Sequence, residues 1–183
     1  MNQLYARNRD ANFWDKDRTN CNCGSFALNL TTWFTPYLDN ELEEERMPEC
    51  DYTEEARDCF IEDCLDEGLS EEEIIEELIE KDWEFILAVC PFLRPIKLKD
   101  ARPGDRVIAY RLMLRTEEDS WGDRYISDQD FHFRVRIDGY WFEKCGSNSV
   151  VILRRGAEEG DWDYPSTHLC YTGPIKYAKF VEE

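Results

Sequence analysis

Residues 131–144 read Phe-His-Phe-Arg-Val-Arg-Ile-Asp-Gly-Tyr-Trp-Phe-Glu-Lys. Apolar and polar residues alternate on both sides of the Asp-Gly pair, as is typical of β-strands that bury one face. Asp-Gly is also a preferred pair for a two-residue turn between antiparallel strands. The stretch therefore predicts a β-hairpin with strands over 131–137 and 140–144, in which Ile137 lies opposite Tyr140.

Further strand patterns surround this hairpin. A Pro-Gly-Asp turn at 103–105 precedes a predicted strand over 107–113, and later strands are predicted over 150–154 and 175–181. Residues 116–130 are interpreted as an irregular connection, of a length that often carries function. Because helical patterns come first in the chain and strands follow, the sequence predicts an α+β fold with an antiparallel sheet.

A buried helix is predicted near the N-terminus. Apolar residues between Phe26 and Phe34 cover nearly all sides of a helix, which indicates burial on every side. Pro36 disfavours helical backbone at the residue before it, so the helix is expected to end there. Its first residues are Cys23, Gly24 and Ser25, which places Cys23 at the start of the helix.

Two acidic helices are predicted next. Thr53 is a suitable N-cap for a helix over 54–67, and Ser70 with Glu73 forms a capping-box pattern for a second helix that ends near Pro91. Residues 39–84 contain 22 Asp and Glu but only three Lys and Arg, whereas the rest of the chain carries 19 of each. This segment therefore accounts for the net charge of −19.

The charge distribution limits the possible partners. An acidic surface repels phosphate backbones, so a direct nucleic-acid partner is excluded, while a basic protein that contacts residues 39–84 is a candidate. A solvated helical face is the simpler interpretation. Residues 1–183 are expected to form one domain. No apolar run suits a signal peptide or a membrane span, so the sequence predicts a cytoplasmic protein, with no membrane partner and with reduced cysteines.

Cys23 and His132 are the candidate catalytic pair. A helix start lowers the pKa of a thiol through its free amide donors, and the thiolate is the nucleophilic form. His132 is favoured as the base over His168 because the returning strand carries Glu143, a diagonal neighbour whose carboxylate can orient the imidazole. Cys21, Cys23, Cys145 and His132 form an alternative set of four zinc ligands.

These residues resemble the papain-like superfamily of cysteine peptidases and amidases. Residues 23–28 are similar to the helix start of NlpC-type peptidases and CHAP amidases, and residues 101–108 are similar to the Pro-Gly-Asp turn before their first core strand. Residues 132–148 resemble an uncharacterised group of phage and bacterial proteins related to them. The resemblance covers about residues 12–36 and 100–153, so the acidic segment 39–91 is interpreted as a helical insertion in a papain-like domain.

The resemblance implies a hydrolase that cleaves an amide or isopeptide bond through an acyl-enzyme, without a metal or an organic cofactor. Cys23 is the expected nucleophile, His132 the base and Glu143 the orienting group, with Asn148 as the substitute for Glu143. Asn20 or Asn22 is expected to add a donor for the oxyanion. The implied substrate is a peptide such as the peptidoglycan stem peptide, in a bacterial or phage-infected cell. The rival hypothesis is an acidic accessory or inhibitor protein of a phage, which binds a basic surface on an inactive papain-like scaffold.

Overall fold

The computed structural model describes residues 21–30, 32–39, 43, 47, 49–144, 150–153, 171 and 173–181. In these residues lie three α-helices of more than one turn, one short 3-10 helix and one six-stranded sheet, and every strand pair is antiparallel. The predicted α+β class is therefore confirmed. The elements are α1 (Cys23–Leu28), α2 (Glu54–Asp66), α3 (Glu71–Val89), β1 (Leu93–Pro95), the 3-10 helix (Leu98–Asp100), β2 (Val107–Glu118), β3 (Arg124–Ile137), β4 (Tyr140–Lys144), β5 (Val150–Ile152) and β6 (Lys176–Phe180).

The strands follow the order β1-β6-β2-β3-β4-β5 across the sheet. The β3–β4 hairpin has the predicted register, because Ile137 pairs with Tyr140 and Arg134 with Glu143. Asp138 and Gly139 both have positive φ, at 50° and 84°, as a two-residue turn of this kind requires. β2 and β3 are the longest strands and occupy the middle of the sheet.

The prediction of an irregular connection over residues 116–130 was wrong. These residues extend β2 and β3 into a long hairpin, and Thr116 pairs with Ile126. A tight turn joins the strands, in which Oδ1 of Asp119 accepts hydrogen bonds from the amides of Trp121 and Asp123, at 2.8 and 2.9 Å. The register shifts between Arg115 and Thr116, and this irregularity breaks the strict alternation by which a strand is found in a sequence.

Helix α1 is shorter than predicted, since it ends at Leu28 instead of before Pro36. Asn29 ends it in the left-handed region, at φ 58°. The chain then folds back on the start of the helix, where the side-chain amide of Asn22 donates to the carbonyl oxygen of Phe34 at 2.6 Å. All six residues of the helix are buried, so the predicted burial is confirmed although the length is not.

Helices α2 and α3 begin with the predicted caps, on Thr53 and on Ser70 with Glu73. Their inward side chains belong to the same hydrophobic cluster as α1 and the sheet. The inward faces of α2 and α3 thus contribute to the core of the domain. The residues of α2 and α3 that are buried in this cluster are Ile61, Cys64, Ile74, Ile75, Leu78, Ile79, Trp83, Phe85, Ile86 and Val89.

A buried polar cluster ties these helices to the sheet. The guanidinium of Arg57 on α2 donates to Asp82 on α3 at 3.1 Å, and the hydroxyls of Tyr52 and Tyr110 donate to the same carboxylate at 2.5 Å each. Arg57 also donates to the side-chain oxygen of Gln129 on β3 at 2.6 Å. Asp82 therefore neutralises a buried charge, in contrast to the acids of α2 and α3 that face solvent.

Candidate active site

The two faces of β3 have different surroundings. Phe133 and Val135 point into the main core, where Phe133 also packs close to Gly24 of α1. Because side chains alternate along a strand, His132 and Arg134 point to the opposite face. There the imidazole of His132 lies near the ring of Tyr171, with the ring centres 5.7 Å apart.

The predicted contact between His132 and Glu143 is present on this second face. The Nε2 atom of His132 lies 3.2 Å from Oε2 of Glu143, which projects from the neighbouring strand β4. Nε of Arg134 donates to the same oxygen at 2.8 Å. A carboxylate accepts hydrogen bonds only, so this pairing places the imidazole hydrogen on Nε2 and makes Nδ1 the basic nitrogen.

The pKa of His132 is lower than its usual value. Burial favours the neutral imidazole, and the hydrogen bond and negative charge of Glu143 oppose this effect without cancelling it. Burial also raises the pKa of Glu143, but the hydrogen bond with His132 and the charge of Arg134 outweigh it, so this pKa is lowered. The pair is therefore a neutral imidazole beside an ionised carboxylate.

Cys23 is the first residue of α1 and lies against the backbone of β3. Its thiol donates to the carbonyl oxygen of Phe131 at 3.8 Å, one residue before His132. Cys23 and His132 are only 6% and 1% exposed. Cys23 belongs to the core cluster that contains Phe133, whereas the side chain of His132 lies on the opposite face of β3. The recorded contact of the sulfur is thus with the backbone of the strand that carries the histidine, and proton transfer between the two side chains stays a prediction.

The start of α1 is held by Asn22. Its side-chain oxygen accepts from the amide and the hydroxyl of Ser25 at 2.9 and 2.8 Å, while its amide donates to Phe34. Asn22 therefore caps a helix of only six residues. These contacts give Asn22 a structural role, and a role as an oxyanion donor stays a prediction.

Several predicted site residues lie outside the described residues. They are Asn20, Asn148, Cys145 and His168. The alternative zinc set includes Cys145 and so is not complete among the described residues. In the part of the chain that the structure describes, no three His, Cys, Asp or Glu side chains group in a way that suits a metal ion.

Sequence reasoning missed three residues around His132. Arg134 follows the histidine by two positions, so strand alternation alone would have placed it beside Glu143. Asp130 precedes the histidine by two positions on β3, and Tyr171 comes from elsewhere in the chain. The hydroxyl of Tyr171 donates to Asp130 at 2.6 Å. Tyr171 is far from the hairpin in the sequence, and no local pattern indicated that it returns to this face.

Comparisons with known proteins do not identify a family. No protein-family model, no curated protein and no solved structure gives a significant match to the chain. None of the helices in the described ranges is both long enough and apolar enough to cross a membrane.

Proposed function

We propose that the chain is a cysteine hydrolase that cleaves an amide or isopeptide bond, with Cys23 as nucleophile, His132 as base and Glu143 as orienting group. The observation that supports this best is the contact of 3.2 Å between His132 Nε2 and Glu143. This contact leaves Nδ1 of His132 as the proton acceptor. The residue before His132 on β3 is Phe131, and its carbonyl oxygen accepts from the Cys23 thiol at 3.8 Å. A nucleophile, a base and an orienting group are the three parts that such a reaction needs.

The proposed reaction has two steps. In the first, Nδ1 of His132 takes the thiol proton as the sulfur attacks the carbonyl carbon, and the tetrahedral intermediate then collapses. The C–N bond breaks, the imidazolium protonates the leaving amine, and a thioester on Cys23 is formed. In the second step His132 takes a proton from water, whose hydroxide attacks the thioester. Collapse of that intermediate releases the carboxylic acid, and the thiolate takes back the proton.

The lowered pKa of His132 fits a general base that is neutral before the attack. The low exposure of Cys23 and His132 means that substrate reaches them only when neighbouring chain moves aside. The resemblance of residues 23–28 and 101–108 to NlpC-type peptidases and CHAP amidases suggests a peptide or a peptidoglycan stem peptide as substrate. A bacterial or phage-infected cytoplasm is the location that we propose with it.

Hydrolysis tests the proposal directly. Purified protein is incubated with peptidoglycan fragments and with a mixed peptide library, and the new amino termini are identified by mass spectrometry. We expect cleavage by the wild type, none by Cys23→Ala or His132→Ala, and slower cleavage by Glu143→Gln. Cleavage that persists in Cys23→Ala would assign the activity to a contaminant or to another site.

A second candidate function is binding of a basic protein through residues 39–84. It is favoured by the outward faces of α2 and α3, where Asp and Glu predominate: Glu54, Glu55, Glu62, Asp63, Asp66, Glu67, Glu72, Glu73, Glu76, Glu77, Glu80 and Glu84 are exposed. In this alternative the scaffold is inactive. Binding of a basic partner would then persist in Cys23→Ala, weaken with salt, and weaken when Glu72 and Glu76 of α3 are neutralised.

A further inference from the structure

A cleft of about 720 Å³ lies between α2 and the outer part of β3, residues 124–130. Six consecutive residues of β3 line it, 124–129, together with Asp58, Glu62, Leu65 and Asp66 of α2. Consecutive side chains alternate between the two faces of a sheet, so a cleft that touches six in a row opens along the edge of the strand. β4 pairs with β3 from Arg134 to Ile137, and among the described strands only β2 pairs with the outer part.

The lining of the cleft is negatively charged. Its carboxylates are Asp58, Glu62, Asp66 and Asp128, and its one basic residue is Arg124. The guanidinium of Arg124 is already bound, since it donates to the carbonyl oxygen of Leu69 at 2.6 Å and to the hydroxyl of Thr116 at 3.3 Å. The lining therefore complements ammonium and guanidinium groups.

Tyr125 and Leu65 give the cleft an apolar component as well. Tyr125 is 45% exposed, and an aromatic ring in that position attracts a cationic side chain through its face. An unpaired strand edge offers backbone donors and acceptors to an extended peptide, which pairs with the edge as an additional strand. Together these features favour a peptide over a small cation or a folded basic surface.

The cleft leads toward the candidate nucleophile. The Phe131 carbonyl that accepts from Cys23 is on the same strand, two residues after Gln129 at the end of the cleft. At about 3.3 Å per residue the end of the cleft lies roughly 7 Å along the strand from that carbonyl. An extended chain bound on this edge therefore spans the distance to the sulfur with about two further residues.

We propose that the cleft binds an extended peptide segment rich in Lys or Arg, which pairs with the outer edge of β3. In the hydrolase proposed above, on which this part rests, that segment is the substrate, and the bond cleaved lies on the side nearest Cys23. A peptidoglycan stem peptide carries carboxylates of its own, which the cleft would repel. The charge of the cleft thus narrows the substrate class to cationic peptides.

Binding is measured without turnover in the full-length Cys23→Ala protein, by fluorescence anisotropy. The probe is a labelled octapeptide of alternating Lys and Val, with an otherwise identical Glu-Val peptide as the negative control. We expect the Asp58→Asn/Glu62→Gln double variant to bind about tenfold more weakly. The matched control, Glu72→Gln/Glu76→Gln, removes the same charge from exposed positions on α3 outside the cleft. It should bind the peptide as the parent does, whereas the alternative function, a basic-protein surface on α2 and α3, predicts weaker binding.

A second probe tests the strand pairing. N-methylation of alternate backbone amides removes hydrogen-bond donors from one edge of the Lys-Val peptide while its charge is unchanged, and we expect it to abolish binding when those amides face β3. Two results would overturn the proposal in favour of unspecific attraction to an acidic protein. One is that both double variants weaken binding equally. The other is that the peptide whose methylated amides face β3 binds as tightly as the peptide whose methylated amides face away from it.

Cleavage of the same Lys-Val peptide by the wild type, measured beside binding by Cys23→Ala, separates this inference from the proposed function. Binding by Cys23→Ala without cleavage by the wild type would refute the hydrolase and support the peptide cleft. Cleavage by the wild type that is unaffected by the Asp58→Asn/Glu62→Gln variant would support the hydrolase and refute the cleft as its substrate site.

Discussion

Two opposing influences act on the protonation of His132. Burial favours the neutral ring, whereas Glu143, at 3.2 Å, favours the charged ring. Burial has the larger effect, so the pKa falls below its ordinary value. The charge of Arg134 adds to this effect and also holds the Glu143 carboxylate in place. The result is an imidazole whose tautomer is fixed by Glu143 and whose second nitrogen is unprotonated at neutral pH.

This shift has a consequence for stability. As the pH is lowered, His132 takes up a proton near pH 6.5 in the unfolded chain and only at lower pH in the folded chain. The contribution of the neutral His132 to the free energy of unfolding is therefore fully present above pH 6.5. It decreases as the pH falls from 6.5 toward the lower pKa of the folded state. We expect the difference in Tm between wild type and His132→Gln to shrink over this range, as followed by circular dichroism. A difference that stays constant or grows on acidification would contradict the assignment.

Glu143 is tested separately from His132. Glu143→Gln retains a group that can occupy the same space but loses the charge that orients the imidazole and stabilises its protonated form. Alkylation of Cys23 should slow by roughly 10- to 100-fold, part of what a positioned base contributes. Far-ultraviolet circular dichroism should show an unchanged fold. If the variant reacts at the wild-type rate, the orienting role belongs to another residue, with Asn148 as the next candidate.

At the scale of elements, the Arg57–Asp82 pair holds α2, α3 and the sheet together. Burial lowers the pKa of Arg57, but the charge of Asp82 outweighs it and the pKa is raised, so the guanidinium stays charged. Asp82→Asn leaves that charge without its counter-ion. We expect a loss of about 3–5 kcal/mol in the free energy of unfolding, measured in urea.

The control for this prediction is Asp63→Asn on the exposed face of α2, which should change the free energy of unfolding by no more than about 0.5 kcal/mol. A loss of less than about 1 kcal/mol for Asp82→Asn would mean that water or the tyrosine hydroxyls compensate the buried charge.

Local signals predicted the elements whose ends depend on a few neighbouring residues. The caps at Thr53 and Ser70 and the turn at Asp138 and Gly139 are examples, and the register of that turn also predicted the diagonal contact between His132 and Glu143. The other features of the fold depend on contacts between residues that are far apart in the sequence. Helix α1 ends early because the chain returns to Asn22, a contact with Phe34 that no periodicity contains.

The same reason explains the long hairpin and the surroundings of the site. A register shift beside Thr116 disrupts the alternation that would have indicated the outer strands. The cleft depends on how α2 packs beside β3, which the helix pattern does not specify. The hairpin part of the site was thus predictable from alternation, whereas the position of Cys23 relative to it depends on tertiary packing.

For the whole molecule, charge is distributed unevenly. The net charge is −19, and the exposed acids of α2 and α3 repel one another at short range. Salt at physiological strength or above screens such repulsion beyond about 8 Å. We expect added sodium chloride to raise Tm by roughly 2–4 °C for each kcal/mol of repulsion relieved, measured by calorimetry. The Glu72→Gln/Glu76→Gln variant should gain less, and a Tm that falls with salt would show that ion pairs outweigh the repulsion.

The reactivity of Cys23 tests most directly whether this residue is an activated nucleophile paired with His132. Iodoacetamide is added to the folded protein near neutral pH, and the rate at each cysteine is measured by peptide mass spectrometry. Exposed Cys59 serves as the internal reference for an ordinary thiol, and buried Cys64 reports any unfolding. We expect Cys23 to react at least as fast as Cys59 despite its burial, and we expect His132→Ala to slow the reaction of Cys23 alone. A Cys23 that reacts far more slowly than Cys59, at the same rate with and without His132, would contradict this expectation and identify an inert core thiol.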